Sequence, residues 1–420
     1  MNATFTLAAI YQVKATCVSP LRTGAADGNI EEVLRDSKGN FLIQGSSIAG
    51  AIRDWLSNNN FKAYENRLMG TTNGGGSLII SDGVFKTDKL HSRPRLRIDG
   101  RTGAAANGAK FDVSHIPSKT EFEFSLTWLG SKEKSKELEA VEAALGALNS
   151  GSIVLGSQKA NGFGRVSLKV NKQVYDMFDA ADRDAWLNGD FRGAPLELKP
   201  APSAGYVTFT FEGSADNLLV KGSSPLREGG RTTAVNIEEN GTPIIPGSSV
   251  KGAVRARVKY ICSALGLGEE FVNGLFGSSE EDGEEVRPGL VRFSDVVLDK
   301  SKPRTVSRIR INRFTGGVMN QALINERPLS SPVRFTVKVP QGEKAGCALV
   351  AFALRDLGLG LYNLGSGDSI GRGRIVGKKL TAKTAGGNAL KLSFQSEKAV
   401  LLEDASHLMD SWRNGLEGSK

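Results

Sequence analysis

The chain repeats itself. Residues 43–53 read I-Q-G-S-S-I-A-G-A-I-R, and residues 245–255 read I-P-G-S-S-V-K-G-A-V-R. Four further pairs follow: Pro20-Leu21-Arg22 with Pro225-Leu226-Arg227, Leu68-Met69-Gly70 with Leu275-Phe276-Gly277, Arg97-Ile98-Asp99 with Arg310-Ile311-Asn312, and Gly162-Phe163-Gly164-Arg165 with Gly371-Arg372-Gly373-Arg374. Matches in the same order, separated by 202 to 213 positions, mean a tandem duplication of one domain. A surface presented twice suits a partner that is itself repetitive.

At 420 residues, each half is long enough to bury its own core. The stretch Asn188 to Ser203, with Pro195, Pro200 and Pro202, reads as the join. The expected division is therefore a first domain over residues 1–190, a linker over 191–204 and a second domain over 205–420. Alternating apolar strands open the halves at Thr4 to Val18 and Tyr206 to Phe211. Helices are expected near Ile48 to Leu56, Val250 to Leu265, Ser135 to Leu148 and Ala345 to Leu361. Ser46 or Ser47, and Ser248 or Ser249, stand as N-caps. Gly-rich turns then lead into strands at Val166 to Val170 and Ile375 to Val376. This order predicts an α+β fold, ferredoxin-like in each half.

No apolar run approaches the roughly 20 residues that span a bilayer, and Met1 to Leu7 lacks a basic signal-peptide opening. Cys17, Cys262 and Cys347 form neither a disulfide framework nor a zinc pattern, which favours a reducing cytoplasm. The net charge of +9 suits a polyanionic partner.

Three features point to where that partner would sit. The Gly-Ser-Ser segments place free amides and the positive dipole end at a helix start, an arrangement that holds anions or is simply well capped. Lys251 and Arg255 share one face of the second helix, where Ala49 and Arg53 match them in the first. Arg93, Arg95 and Arg97 alternate with apolar residues, as do Arg308 and Arg310, so strand geometry puts the arginines on one face. Such a ribbon tracks a phosphate backbone or is a solvated face. The Gly-rich loops at residues 156–165 and 365–374 let a backbone approach closely, either a phosphate or a packed neighbour. Phe163 is read as stacking on a base or as core.

Catalytic signals are sparse. With only His91, His115 and His407, a paired-histidine ribonuclease has little support. The loop before the first Gly-Ser-Ser segment carries Asp27, Glu31, Glu32 and Asp36, each a turn residue or a holder of a divalent ion. Residues 223–246, the matching loop, contain no Asp.

Together, the Gly-Ser-Ser-x-Lys-Gly-Ala-x-Arg segment, the Arg-Ile-Asp/Asn turn with its Thr-Gly, and the Gly-x-Gly-Arg loop resemble the RAMP superfamily, the repeat-associated proteins of CRISPR systems. Within it the chain is most similar to the Cas-seven-like backbone subunit of type III effectors, here two copies fused. The resemblance implies ferredoxin-like (RRM-like) cores with inserted β-hairpin thumbs, within residues 86–117 and 300–328. It implies a grip on CRISPR guide RNA through Arg22, Ser46, Ser47, Arg53, Arg95, Arg97 and Arg165 in the first half. In the second half the matching set is Arg227, Ser248, Ser249, Lys251, Arg255, Arg308, Arg310 and Arg374. It further implies complementary target RNA and other RAMP subunits as partners. Cleavage would be metal-dependent, with Asp27 as catalytic and metal-holding residue and Mg2+ or Mn2+ as the ion, at one site in the first domain. Two alternatives stand beside it: a non-catalytic guide-binding scaffold, and a guide-maturation endoribonuclease.

Overall fold

The computed structural model describes residues 5–418 except 25–32, 99–104, 201–204, 223, 229–230, 279–285, 320–322, 397 and 405. The first half of the chain runs β1 (Leu7–Cys17), β2 (Leu42–Ile43), α1 (Gly45–Ser57), α2 (Lys62–Met69), β3 (Leu78–Ile80), β4 (Gly83–Phe85), β5 (His91–Ile98), β6 (Ala105–His115), β7 (Glu121–Gly130), α3 (Lys136–Asn149), β8 (Val166–Asp176), α4 (Ala180–Asn188) and β9 (Ala194–Leu196). The second runs β10 (Tyr206–Leu218), β11 (Leu226–Glu228), β12 (Arg231–Ala234), β13 (Glu238–Glu239), β14 (Thr242–Ile245), α5 (Gly247–Leu265), α6 (Glu269–Phe276), β15 (Arg292–Phe293), β16 (Val296–Val297), β17 (Lys302–Pro303), β18 (Val306–Arg308), β19 (Ile324–Glu326), β20 (Leu329–Pro340), α7 (Lys344–Gly358), β21 (Arg374–Lys383), β22 (Ala389–Gln395), β23 (Lys398–Asp404) and α8 (Leu408–Glu417).

The chain divides into two compact units. One comprises Met1–His91, Ser114–Lys159 and Phe163–Ala204; the other comprises Ser92–Val113, Ala160–Gly162 and Gly205–Lys420. Most of the β5–β6 hairpin therefore packs with the second unit, although its sequence lies in the first half.

Each unit is built on the same antiparallel sheet. In the first, β1 lies between β7 and β8, and β4 and β3 pair with the far edge of β7. In the second, β10 lies between β20 and β21, and β15 pairs with β20. With α1 and α3 as the two crossovers in one unit, and α5 and α7 in the other, both follow the β-α-β-β-α-β order of the ferredoxin-like fold. The expected fold class is what the structure has.

Period-two burial explains why these strands form. Val207, Phe209 and Phe211 alternate inward along β10, and Val333, Phe335, Val337 and Val339 do so along β20. The Phe211 and Phe335 rings stack at 5.1 Å between centroids. In the first unit Tyr11, Val13, Ala15 and Cys17 face in beside Phe122, Phe124, Leu126 and Trp128. Beyond the shared core the units differ. Ala194–Leu196, inside the stretch expected to link the domains, adds β9 to the first sheet against β8. The second sheet continues through β22 and β23, and α8 covers it with Trp412 and Leu416 buried.

Two local expectations need correction. Both Gly-Ser-Ser helices begin at the glycine, and neither serine caps: the N-cap positions are Gln44 and Pro246, with no side-chain cap bond. The Arg-rich strand β5 does not turn its arginines to water and its apolar residues inward. Arg93 is buried, while Leu96 and Ile98 are exposed. The reason is charge pairing: Arg93 Nη1 lies 2.8 Å from Asp295 Oδ2 and Nη2 lies 3.0 Å from Glu239 Oε2, which offsets the cost of desolvating the guanidinium.

Candidate nucleic-acid interface

The Gly-Ser-Ser helix starts are fixed by an aspartate that the repeat comparison overlooked. Asp82 Oδ1 accepts from the Gly45 amide at 2.7 Å, and Asp295 Oδ1 accepts from the Gly247 amide at 2.7 Å. Each aspartate follows a serine whose hydroxyl accepts from a sheet amide, Ser81 from Ser125 at 2.9 Å and Ser294 from Thr336 at 3.0 Å. The carboxylate meets the positive end of the helix dipole and satisfies one of its orphan amides. Glycine is required at the start for space: a Cβ on Gly45 would lie 2.3 Å from the Ile80 carbonyl oxygen, and one on Gly247 3.0 Å from that of Phe293. The signal was in the sequence as Ser81-Asp82 and Ser294-Asp295, a dipeptide too short to stand out.

This capping leaves less room for a helix-end anion site than the sequence suggests. The Ser47 amide donates to Gln44 O, and the Ser249 amide to Pro246 O. What remains outward is hydroxyl and side-chain charge. Ser46 and Ser47 are exposed, and Ser248 and Ser249 are half-buried.

Arg53 and Arg255 both reach the helix that follows. Arg53 Nε lies 3.3 Å from Glu65 Oε1, and its guanidinium also donates to Gly70 O. Arg255 Nη2 donates to Asn273 Oδ1 at 2.9 Å. In the second unit a lysine stands on the same helix face as the arginine. Burial pushes the Lys251 ammonium down to about 8, and the Arg255 and Arg95 guanidiniums push in the same direction. The structure thus brings Lys251, Arg255 and Arg95 within electrostatic reach of one another, at the first turns of α5. A cluster of like charges of this kind is relieved by an anion.

The other basic residues are dispersed. Arg308 is tied to Glu326 through Nε at 3.0 Å and Nη2 at 2.6 Å. Arg310 is exposed just past the end of β18, and Arg227 is exposed on β11. Arg165 and Arg374 are exposed at the starts of β8 and β21, and Arg22 is half-buried beside the Gly-rich loop. The side chain of Arg97 lies outside the described residues.

The two Gly-rich loops share one backbone. Leu155 N donates to Gly164 O, and Leu364 N to Gly373 O, both at 2.9 Å. Ser157 N donates to Arg22 O at 2.8 Å, and Ser366 N to Leu219 O at 2.7 Å. Gly164 and Gly373 have φ of 88° and 71°, and a Cβ there would strike the Leu155 or Leu364 carbonyl oxygen at 2.0 or 1.8 Å. These glycines serve close packing of the loop on itself. Phe163 is core: it is buried, with its ring 5.3 Å from that of His115.

Of the acidic candidates, Asp36 is a turn residue. Its carboxylate accepts from the amides of Lys38 and Asn40 and from Asn40 Nδ2, which holds it below the usual carboxylate range. Asp27, Glu31 and Glu32 lie outside the described residues.

Two ferredoxin-like units, each opening its first crossover helix with a glycine pinned by an aspartate and leading from a Gly-x-Gly-Arg loop into a strand of the shared core, define a tandem protein. The sequence matches the family model described as the RAMP superfamily twice, over residues 14–167 and 218–376. The chain belongs to the RAMP superfamily. Among curated proteins no match was found. Among the described residues, no helix is long and apolar enough to cross a membrane.

Proposed function

We propose that this chain is a fused backbone subunit of a type III CRISPR ribonucleoprotein effector. In this reading both halves bind guide RNA, and the assembly includes other RAMP subunits and pairs with complementary target RNA in the cytoplasm. The observation that supports it most is the double family match lying on two copies of one sheet-and-helix arrangement. The Lys251, Arg255 and Arg95 cluster supplies a place for sugar-phosphate in the second unit. Such contacts read backbone and shape, and base pairing carries the sequence.

Target cleavage is assigned to the first half, with Asp27 as its residue. The nucleophile is the RNA's own 2′-hydroxyl, which attacks the adjacent phosphorus to form a 2′,3′-cyclic phosphate and expels the 5′-oxygen of the next nucleotide; the hydroxyl proton leaves to water, and the 5′-oxygen takes a proton from water. Asp27 would orient that hydroxyl. A carboxylate oxygen is a fitting donor for Mg2+ or Mn2+, which when bound would neutralise the charge gathering on the phosphate. The second half has no Asp between residues 223 and 246, so a scaffold role is the better reading for that half.

The test reconstitutes the whole effector with Asp27→Ala in this chain. Loss of one fragment from a ladder of regularly spaced target cuts is expected. An unchanged ladder removes Asp27 from the reaction and leaves a guide-binding scaffold. A native preparation carrying no RNA overturns the reading altogether.

A further inference from the structure

Glu326 ends β19 in the four-stranded sheet of the second unit, ordered β11-β12-β19-β18. It is paired to Ala234 of β12 on one side and Val306 of β18 on the other, and its side chain is buried. Three cations close on this one carboxylate. Arg372 Nη1, from the Gly-rich loop, lies 2.7 Å from Oε2. Arg308 reaches the same oxygen with Nε at 3.0 Å and Nη2 at 2.6 Å, and Lys221 Nζ lies 3.3 Å from Oε1. Among the described residues, no second acid pairs with Arg372, Arg308 or Lys221, so three positive charges face one negative.

The fold asks for less than this. A buried guanidinium needs an acid, and Glu326 alone supplies one to Arg372. In the first unit's loop the same place is filled by Phe163, which carries no charge. Arg308 and Lys221 are surplus to that pairing and stand at its rim: their side chains are 37% and 51% exposed, against 3% for Arg372.

Geometry decides what the rim suits. A guanidinium is a planar fork of five N–H groups. Glu326 takes the Nε side of Arg308, which turns Nη1 and the second N–H of Nη2 away from the carboxylate. That edge of the fork grips two oxygens of a tetrahedral oxyanion side by side. Lys221 adds a compact ammonium with three N–H groups. Because both cations touch one carboxylate, a single phosphate group can bridge them. Glu326 holds the fork in place beforehand, so less side-chain freedom is lost when an anion arrives.

We propose that Arg308 and Lys221, with the buried Arg372 charge beneath them, seat one phosphate group of an RNA strand, and that Glu326 is the positioning residue of that seat. The proposal rests on the reading of the chain as an RNA-binding RAMP protein. It adds Lys221 and Arg372 to the cations of α5 as parts of the interface, and it gives the Glu326 ion pairs a role beyond holding the loop.

The test titrates the full chain with a fluorescent oligouridylate over a range of salt. The pair Lys221→Gln with Arg308→Gln, which keeps a hydrogen-bond donor beside Glu326, is compared with Lys251→Ala with Arg255→Ala. The glutamine pair should bind about tenfold more weakly, and its log–log salt slope should fall by about 0.7, the share of one phosphate on a single strand. Lys221→Gln alone, a change at a half-exposed side chain that leaves the buried pairing intact, should lose about threefold, which keeps the effect apart from misfolding. Arg308→Lys keeps the charge but not the fork, so it should hold the salt slope and lose about threefold in affinity. Parental binding by Arg308→Lys would mean diffuse charge without a formed seat, and overturns the proposal. Parental binding by the glutamine pair, with loss in the α5 pair, overturns the seat and leaves the RNA reading intact. Parental binding by both overturns both. Inorganic phosphate or poly-L-glutamate binding that the glutamine pair loses, with oligouridylate unaffected, assigns the seat to free phosphate or to an acidic protein and overturns it as an RNA contact.

Discussion

The Gly-x-Gly-Arg loops of the two units have the same backbone and opposite interiors. In the first, the residue between the glycines is Phe163, packed edge to face on His115. In the second it is Arg372, buried, with Nη1 2.7 Å from Glu326 Oε2. Glu326 is itself buried and also meets Arg308 and, at 3.3 Å, Lys221. Burial alone would push its carboxyl up, but the hydrogen bonds from Arg308 and Lys221 and the Arg372 charge hold it below the ordinary range. What the loop requires is the glycine geometry. The residue it encloses is free to be apolar or ionic, provided a partner of the same kind is at hand. Duplication kept the frame and let the filling diverge.

That comparison breaks most sharply at Glu326. Glu326→Ala leaves Arg372 buried without its acid and should cost roughly 3–5 kcal/mol in urea unfolding of the full chain. A carboxyl held below its usual pKa contributes stability that is present above the unfolded value of 4.5 and lost as pH falls through the lower folded value. The parent's advantage over Glu326→Gln should therefore shrink as the medium is acidified below about 4.5. An advantage constant down to strongly acidic pH would mean that the carboxylate is not what holds the loop.

The capping aspartates come next. Asp82 and Asp295 cap equivalent helices, but only Asp295 also neutralises buried Arg93. Asp82→Ala should cost about 1 kcal/mol, the usual worth of an N-cap. Asp295→Ala should cost about 3 kcal/mol, because a buried cation also loses an acid. Equal losses in thermal or urea unfolding would show that Glu239 suffices for Arg93. A matched pair of effects is expected at Gly164→Ala and Gly373→Ala, about 1–3 kcal/mol each, since both need positive φ and both would strike a carbonyl. Unequal effects would sink the claim of one shared frame.

Much of this was legible in the sequence because it is periodic or repeated. The alternation of Val207, Phe209 and Phe211 gave β10, and the paired Gly-Ser-Ser segments gave α1 and α5 at matching places. What was hidden depends on pairing at a distance. Nothing in Arg93-Pro94-Arg95 says that Arg93 will be buried, because its acids are Glu239 and Asp295, remote in sequence. The serines looked like caps because serine ordinarily caps, yet a strand-end aspartate from another element took the role. The basic row of the second sheet is not a local motif. Arg292, Lys338 and Lys383 become neighbours only through register.

The smallest expected effect is also the one that ties charge to binding. Lys251, lowered to about 8 by burial and by Arg255 and Arg95, has at its equivalent place in the first unit an uncharged residue, Ala49. An anion bound there favours the protonated ammonium, so binding takes up a proton near pH 8 and weakens as pH rises through that value. The charge contact is worth roughly 0.5–1 kcal/mol, a two- to fivefold loss of affinity for single-stranded RNA between pH 7 and 9 at fixed salt. Lys251→Arg should remove that slope and keep the affinity, since a guanidinium stays charged throughout. Lys251→Ala should remove the slope and keep the weaker affinity of the alkaline parent. A parent whose affinity is flat across this range would separate the Lys251 cluster from the RNA.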